Sequence, residues 1–183
     1  MITQDPSAPA AFRSGYIHRL SFTSAFRSSL ASVKNRFWFT IYVSNFNLEK
    51  KTDPAAVLFS AIRSLSDAGK DVRLVIDHPR RHKPNYHSNA YTIRRLKEYG
   101  IPFYLAPTRT TLHLKIALFD STHVFLGSHN FARSSLENPL DATAALFDRA
   151  AVRWAEEFFL SLFDDPLCEY FPPSQYPSYI HYP

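Results

Sequence analysis

Strand-length runs of apolar residues alternate with segments of helical periodicity along this chain, and this alternation limits the possible folds more than any other feature. The runs FWFTIYV at 37–43 and VRLVI at 72–76 are rich in aromatic and β-branched residues, which indicates buried strands. Between them, Asp53 followed by Pro54 is typical of a helix start, and Gly69 is typical of the residue that ends a helix. Strands that alternate with helices predict an α/β fold built in layers.

The same alternation continues on both sides of this unit. Apolar residues recur at near-helical spacing in several segments, and shorter apolar runs separate these segments from one another. We therefore expect helices over 18–35, 53–68, 88–99 and 150–163, with Ser88 as the N-cap of the third, and further strands over 101–105, 112–119, 123–127 and 141–147.

The chain has 183 residues, which is the length of a single domain. Residues 1–17 are rich in Pro, Ala and Ser, and we expect them to form a mobile N-terminal segment. We expect one domain over 18–163. Residues 164–183 are rich in Pro and Tyr, which favours an extended C-terminal arm.

The composition excludes several common classes of protein. The four glycines are too far apart for a GxGxxG motif or a P-loop, and neither GxSxG nor HExxH occurs. The single cysteine, Cys168, excludes an intrachain disulfide and a multi-cysteine zinc site. No apolar run approaches the roughly 20 residues of a membrane-spanning helix. The first residues lack the basic and apolar regions of a signal peptide, so we expect a cytoplasmic location.

The segment 113–130, HLKIALFDSTHVFLGSHN, carries polar residues at alternate positions of two strand-like runs. Side chains two residues apart share one face of a strand, so His113 and Lys115 point the same way, as do Ser128 and Asn130. Lysine, serine and asparagine can donate hydrogen bonds to the non-bridging oxygens of a phosphodiester, and histidine can attack phosphorus or carry protons near neutral pH. The pattern predicts a patch that binds and cleaves phosphodiesters.

The pairing of the two runs decides which of these side chains meet. A two-residue loop at 121–122 would place Lys115 opposite Ser128 and His113 opposite Asn130, although Ser-Thr is not a preferred pair for such a turn. No carboxylate cluster suited to Mg²⁺ lies near this segment, so we expect a site that works without a metal and without a cofactor.

The spacing of this segment resembles the signature of the phospholipase D superfamily, which is HxK, four residues, Asp, six residues and GSxN. All of the specified positions are present, so the match is far more specific than a lone glycine motif. The order of strands and helices before the motif is also similar, and the resemblance covers residues 18–163. It implies a phospholipase D-like mixed β-sheet flanked by helices on both sides, and the small single-motif bacterial nucleases are similar in size. The matching residues are His113, Lys115, Asp120, Gly127, Ser128 and Asn130.

The resemblance also implies a mechanism. His113 would be the nucleophile and form a phosphohistidine, while His113 of the partner subunit would protonate the leaving oxygen and then activate water. Lys115 and Asn130 would hold phosphate oxygens with help from Ser128, and Asp120 would have a structural role in the hairpin, where Asp favours turns. The chain has one such motif and the mechanism needs two histidines, so we expect a homodimer with the active site at its two-fold interface.

Members of the superfamily also place an acid beyond GSxN that orients the histidine. Asp141 matches the spacing of the corresponding glutamate in the small nucleases, and Glu137 is the competing candidate. The Asn that often precedes this acid by two residues is replaced by Pro139 here, with Asn138 beside it. We expect Asp141 to be the acid.

The chain has a formal net charge of +5 and a pI of about 9.4, which favours a polyanionic partner. One segment concentrates cations without an acid and interleaves them with Tyr86 and Tyr91. Such a run is either a solvated surface or a surface that follows a phosphate backbone, and we favour a nucleic-acid surface. Its cations are Arg80, Arg81, Lys83, Arg94, Arg95 and Lys97.

Together these observations predict a phosphodiesterase, namely a metal-independent nuclease with DNA or RNA as its substrate. One alternative is a phospholipase D or cardiolipin hydrolase of the same superfamily, because the motif does not specify what is attached to the phosphate. No lipid anchor or apolar membrane helix supports that phospholipid substrate. The other alternative is a non-catalytic nucleic-acid-binding module, which decay of the motif would indicate, and the motif is intact.

Overall fold

The computed structural model describes residues 14–17, 19–80, 85–172 and 175. Within these residues the chain forms ten strands and five helices, and none of the helices is long and apolar enough to cross a lipid bilayer. In chain order the elements are β1 (Ser14–Ile17), α1 (Arg19–Ser32), β2 (Arg36–Ile41), β3 (Ser44–Asn45), α2 (Pro54–Asp67), β4 (Asp71–Ile76), α3 (Tyr86–Glu98), β5 (Phe103–Leu105), β6 (Lys115–Phe119), β7 (His123–Gly127), β8 (Phe131–Ala132), α4 (Arg133–Leu136), β9 (Thr143–Leu146), α5 (Arg149–Phe163) and β10 (Glu169–Phe171).

Eight of the described strands form one mixed sheet in the order β1-β9-β7-β6-β2-β4-β5-β10. The central strands β2, β4 and β5 are parallel, and every other neighbouring pair is antiparallel. The short strands β3 and β8 pair separately and in parallel. The parallel strands are connected through helices, as parallel pairing requires.

The helices cover both faces of this sheet. On one face, Phe26 of α1 packs between Phe37 and Phe39 of β2, with ring centroids 5.9 and 5.5 Å away, and α2 and α3 complete this core. On the other face, Trp38 of β2 packs on Phe159 of α5, with ring centroids 5.8 Å apart. Successive residues of β2 thus enter opposite cores, as the period of a strand dictates. The predicted α/β fold, a mixed sheet flanked by helices on both sides, is confirmed.

Helix α2 begins and ends as the sequence predicts. The Asp53 carboxylate accepts a hydrogen bond from the N–H of Ala55 at 2.9 Å, and it also accepts one from the N–H of Asn47 at 2.9 Å. Such a cap satisfies donors that the first turn leaves unpaired. Beyond the helix, Gly69 has a φ of +72°, which a residue without a Cβ adopts readily.

Helix α3 begins earlier than the sequence predicts, and the expected N-cap at Ser88 is wrong. The helix starts at Tyr86, so Ser88 lies in its first turn. Asn85 precedes the helix but makes no capping bond, because its side-chain amide donates instead to the Asp77 carboxylate at 2.8 Å and to the Tyr42 carbonyl at 3.1 Å. A long-range polar network therefore sets this helix start.

The sheet extends beyond the predicted domain limits of 18–163 on both sides. β1, within the segment predicted to be mobile, pairs with β9, while residues 1–13 lie outside the described residues. β10, within the predicted C-terminal arm, pairs with β5 as the opposite edge strand. There Phe171 stacks on Phe103 with ring centroids 5.2 Å apart.

The β6–β7 hairpin differs from the predicted one by one residue. Lys115 lies opposite Gly127, whereas the predicted two-residue loop would have placed it opposite Ser128. The pairing of His113 with Asn130 that followed from that loop is wrong for the same reason. The loop has three residues, and the strands end before either of those two side chains is reached.

Asp120 explains the extra loop residue. Its φ of +51° lies in the left-handed region, where Asp is one of the few residues other than Gly that occurs often. Its carboxylate accepts hydrogen bonds from the backbone N–H groups of Lys34 at 2.9 Å, Asn35 at 2.8 Å and Arg36 at 2.8 Å. Contacts with the segment that precedes β2 thus determine the loop conformation.

Candidate active site

A cleft of about 510 Å³ lies at the open end of the β6–β7 hairpin, where the chain leaves both strands. Five of the six residues of the predicted motif line this cleft together with the predicted acid. Asp120, by contrast, lies at the turn of the hairpin and does not line it. The lining residues are His113, Leu114, Lys115, Gly127, Ser128, Asn130 and Asp141.

The Lys115 ammonium lies deep in this cleft. Only 8% of the residue is exposed, and Nζ donates to the His113 carbonyl at 2.6 Å and lies 3.2 Å from His113 Nε2. Burial lowers the pKa of Lys115, and the negative charges of Asp141 and Asp77 oppose this shift. A partly desolvated cation interacts strongly with a phosphate anion, because little water screens it.

The His113 imidazole is exposed to the cleft, and its backbone is held from both sides. The N–H of the preceding Leu112 donates to the buried Asp77 carboxylate at 2.7 Å. After His113, the Leu114 carbonyl accepts from the Thr40 hydroxyl at 2.6 Å. The His113 ring also packs on Tyr42, with ring centroids 4.4 Å apart and planes inclined by 58°.

Tyr42 and Thr40 do not line the cleft but support residues that do, and the sequence did not point to either. The Thr40 hydroxyl accepts from the N–H of Ile116 at 3.0 Å as well as donating to Leu114, so it holds the backbone on both sides of Lys115. Both residues belong to a run that reads as a buried strand. The only signal that could have indicated them is a polar side chain at the C-terminal end of a central parallel strand, where α/β proteins place their sites.

Asp141 is held firmly by its own chain. Its carboxylate accepts from the hydroxyls of Ser128 and Ser135, each at 2.6 Å, and from the Asn138 amide at 3.2 Å. Burial raises the pKa of Asp141, but these hydrogen bonds and the nearby His129 outweigh it and leave the pKa below its ordinary value. Asp141 is therefore an anion at neutral pH.

The hydrogen bonds of Asp141 affect the roles that the motif implied for Ser128 and for the acid. The Ser128 hydroxyl donates to Asp141 and accepts from the N–H of Ala142 at 3.1 Å, so its proton points to the acid and not into the cleft. Within the described part of this chain, Asp141 accepts no hydrogen bond from His113. The competing acid, Glu137, pairs with Arg133 at 3.0 Å and does not line the cleft.

Asn130 is tied to the same network through its backbone. Its N–H donates to the Ser135 hydroxyl at 2.8 Å, and the same hydroxyl donates to Asp141. The Asn130 side-chain oxygen is buried and has no hydrogen-bond partner among the described residues. A phosphate oxygen is also an acceptor and cannot pair with this oxygen, so any contact of Asn130 with a phosphate would come from its side-chain N–H groups.

Gly127 is required because β7 and β9 approach closely at this position. A Cβ at position 127 would overlap the Thr143 hydroxyl and the Ala142 carbonyl. The neighbouring His129 points away from the cleft, where its ring stacks on Phe22 at 4.2 Å and its Nδ1 lies 2.8 Å from the Thr143 hydroxyl. Burial lowers the pKa of His129, with Asp141 opposing the shift, so His129 is a neutral core residue.

The described cations of the predicted basic surface do not line the cleft, and three of them are paired with other groups of the chain. Arg80 donates to the Thr110 carbonyl at 2.9 Å, while Arg94 and Arg95 both pair with Glu98, just beyond the predicted segment. Lys97 is exposed on α3. Arg81 and Lys83 lie outside the described residues. The nucleic-acid role of this surface stays a prediction.

Among the described residues, no three His, Cys, Asp or Glu side chains are grouped so that they could hold a metal ion. The expectation of a metal-independent site stays a prediction, since the mechanism itself has to be measured.

Comparison with known proteins identifies the family. A family model described as "Cardiolipin synthase, PLD-like domain" matches residues 27–163. The fold is similar to that of NucT from Helicobacter pylori, with 19% identity, a TM-score of 0.69, and coverage of 87% of this chain and 99% of that chain. It is also similar to Nuc from Salmonella typhimurium, a phospholipase D family member, with 16% identity, a TM-score of 0.68, and coverage of 88% and 97%.

A larger protein shares the fold over part of its length. Phosphatidylserine synthase from Haemophilus influenzae matches with 16% identity and a TM-score of 0.67, covering 90% of this chain and 40% of that chain. A search of curated proteins returned no significant match. The resemblance that the motif indicated is confirmed, and the chain belongs to the phospholipase D superfamily of phosphodiesterases.

Proposed function

We propose that the chain is a metal-independent nuclease that cleaves phosphodiester bonds through a phosphohistidine on His113 and acts as a homodimer. The observation that carries this proposal is the convergence of His113, Lys115, Asn130 and Asp141 on one cleft. The similarity to NucT and Nuc spans nearly the whole of both proteins, whereas phosphatidylserine synthase is matched over less than half of its length. This difference supports a small nuclease over a lipid-modifying enzyme.

In the first step, the His113 Nε2 lone pair attacks phosphorus and the bond from phosphorus to the leaving oxygen breaks. The imidazolium of the partner's His113 gives its proton to that oxygen. In the second step, the same partner imidazole takes a proton from water, the water oxygen bonds to phosphorus, and the N–P bond breaks. Lys115 and Asn130 stabilise the charge on the non-bridging oxygens.

A second copy of the chain would supply the second histidine that this mechanism needs. Within the described residues, His113 is the one histidine that lines the cleft, and His129 is turned into the core. A symmetric dimer that joins two clefts supplies two histidines with one motif per subunit. Because Asp141 does not bond to His113 of its own chain, we propose that it orients His113 of the partner subunit.

The test is incubation of the purified protein with single- and double-stranded DNA and RNA in EDTA, beside His113→Ala. We expect the wild type to cleave at least one of these substrates and His113→Ala to lose turnover by about 10³-fold or more while its circular dichroism is unchanged. Loss of all wild-type activity in EDTA, with recovery on addition of Mg²⁺, would refute the mechanism. Light scattering under the same conditions should give the mass of a dimer.

The family description and the match to phosphatidylserine synthase favour a second candidate, a phospholipid substrate. Vesicles that contain cardiolipin or phosphatidylglycerol, incubated in the same buffer, distinguish the two proposals. Release of a headgroup or of phosphatidate without nucleic-acid cleavage would establish the lipid enzyme. Binding of nucleic acid by the wild type without cleavage of either substrate would indicate a non-catalytic module.

A further inference from the structure

The Tyr42 ring, which is not part of the superfamily motif, contacts two residues that line the cleft, His113 and Lys115. It contacts the His113 ring at a centroid distance of 4.4 Å, and the Lys115 ammonium lies 4.5 Å from its centroid. Nζ of Lys115 lies in turn 3.2 Å from Nε2 of His113. The side chains of His113, Lys115 and Tyr42 therefore all contact one another.

Tyr42 is held in this position by its backbone. It directly follows the end of β2, and its carbonyl accepts hydrogen bonds from the side-chain amides of Asn85 at 3.1 Å and Asn89 at 2.9 Å. Asn89 is fully buried and also accepts from the N–H of Ser44 at 3.1 Å. Residues on both sides of the turn after β2 are thus fixed to α3.

The same buried groups hold the backbone that carries His113. Asp77 is 1% exposed, and its carboxylate accepts from the N–H of Leu112 at 2.7 Å and from Asn85 at 2.8 Å. The Asp77 carbonyl accepts from Asn89 at 3.0 Å. Asp77, Asn85 and Asn89 therefore connect the backbone of Tyr42 to that of Leu112, the residue before His113.

We infer that Tyr42 is a positioning residue for His113 and Lys115, an inference that rests on the proposed role of His113 as the nucleophile. An aromatic face attracts an ammonium and is rigid once its backbone is fixed. The ring keeps Lys115 from turning away from the cleft and limits rotation of the imidazole, and small displacements of such groups strongly reduce rates. The contacts are made by the ring, so the hydroxyl is dispensable.

The first test compares the cleavage kinetics of Tyr42→Phe and Tyr42→Leu. We expect the Leu variant to lose roughly 30-fold in kcat with KM within about threefold, because the misplaced groups act in the transition state. The Phe variant should keep kcat within about twofold of wild type. Tyr42→Met, which keeps side-chain length without an aromatic face, replaces the Leu variant if that variant does not fold.

Tyr99 offers a matched control. It is also a half-buried tyrosine with a cation over its ring, Arg63 at 4.2 Å, and it packs on Phe59 away from the cleft. Tyr99→Leu should leave kcat unchanged. An equal loss in Tyr99→Leu and Tyr42→Leu would overturn the inference, and so would a loss in Tyr42→Phe as large as that in Tyr42→Leu.

A second readout does not depend on the substrate. Acylation of His113 by diethylpyrocarbonate, measured by mass spectrometry relative to the exposed His87, reports how freely the imidazole moves. The ratio should rise severalfold in Tyr42→Leu and stay constant in Tyr42→Phe and Tyr99→Leu. A wild type that cleaves no nucleic acid refutes the proposed function alone, whereas an unchanged ratio in Tyr42→Leu refutes the role of Tyr42.

Discussion

The two ends of the β6–β7 hairpin carry residues of one motif, yet their polar groups are satisfied very differently. At the turn, Asp120 is 9% exposed and accepts three backbone hydrogen bonds from its own chain. At the open end, His113 is exposed, Lys115 is desolvated, and the Asn130 side-chain oxygen lacks a partner among the described residues.

This difference separates two reasons for a residue to belong to a motif. A carboxylate that accepts three backbone hydrogen bonds within the chain contributes to folding and has little capacity left for a ligand. A cluster with an exposed imidazole and a desolvated ammonium contributes little to stability, and these groups are available to a phosphate. Substitutions at the two ends should therefore separate stability from activity.

The largest effect should follow substitution at the open end. Lys115→Met removes the cation that stabilises the charge on phosphate oxygens, so we expect kcat to fall by about 10³-fold. The free energy of unfolding should stay within about 1 kcal/mol of wild type, because the ammonium is desolvated and gains little from folding. Nuclease kinetics and urea denaturation of the same preparation test this. A parallel loss of activity and stability would contradict the comparison.

The next largest effect is expected at the turn, where a substitution should reduce stability and leave activity nearly unchanged. Asp120→Ala leaves three backbone N–H groups without their acceptor and puts Ala at a positive φ, so we expect unfolding to become easier by about 3 kcal/mol. The kcat of the folded fraction should stay within about threefold of wild type. Asp148→Ala is the control, since Asp148 caps α5 by accepting from Ala150 at 2.6 Å. That control should lose about 1 kcal/mol of unfolding free energy.

The same contrast explains how much of the site could be predicted from the sequence. The alternation of polar residues was enough to place His113 and Lys115 at one cleft, because strand periodicity is local. The hairpin register was wrong because Asp120 takes its conformation from Lys34, Asn35 and Arg36, which are remote in sequence. No local pattern could indicate those contacts.

Other differences have the same physical origin. Ser88 was expected to cap α3, but the Asn85 amide donates a hydrogen bond to the buried Asp77 carboxylate. This bond fixes the residue before Tyr86, where the helix begins. Tyr42 reads as an ordinary strand residue, since its contact with the cleft depends on the path of the chain after β2. The fold class and the ten expected helices and strands, which depend on periodicity, were predicted correctly, whereas β1, β3, β8, α4 and β10 were not expected.

A smaller effect concerns pH. Burial raises the pKa of Asp120, but its backbone hydrogen bonds outweigh this and leave the pKa below the ordinary value of about 3.8. The stability that Asp120 contributes is therefore complete above that value and is lost as the pH falls through the lower, folded-state pKa. The difference in unfolding free energy between wild type and Asp120→Asn should be constant near neutral pH and shrink below about pH 4. A difference that stays constant down to pH 2.5 in urea titrations would contradict this assignment.

The smallest effect is expected for α3. Its arginines Arg94 and Arg95 lie outside the cleft and form ion pairs with Glu98. Glu98→Gln frees Arg94 and Arg95 from their ion pairs, so we expect binding of duplex DNA at low salt to tighten by about threefold. Unfolding should change by less than about 0.5 kcal/mol. Binding is measured in the His113→Ala background, and Glu137→Gln, which frees Arg133 on a different surface, is the control. If both variants tighten binding equally, α3 has no special place in the interface. If only Glu98→Gln tightens binding, and high salt abolishes the difference, then α3 contacts the nucleic acid through the arginines that pair with Glu98 in the free protein.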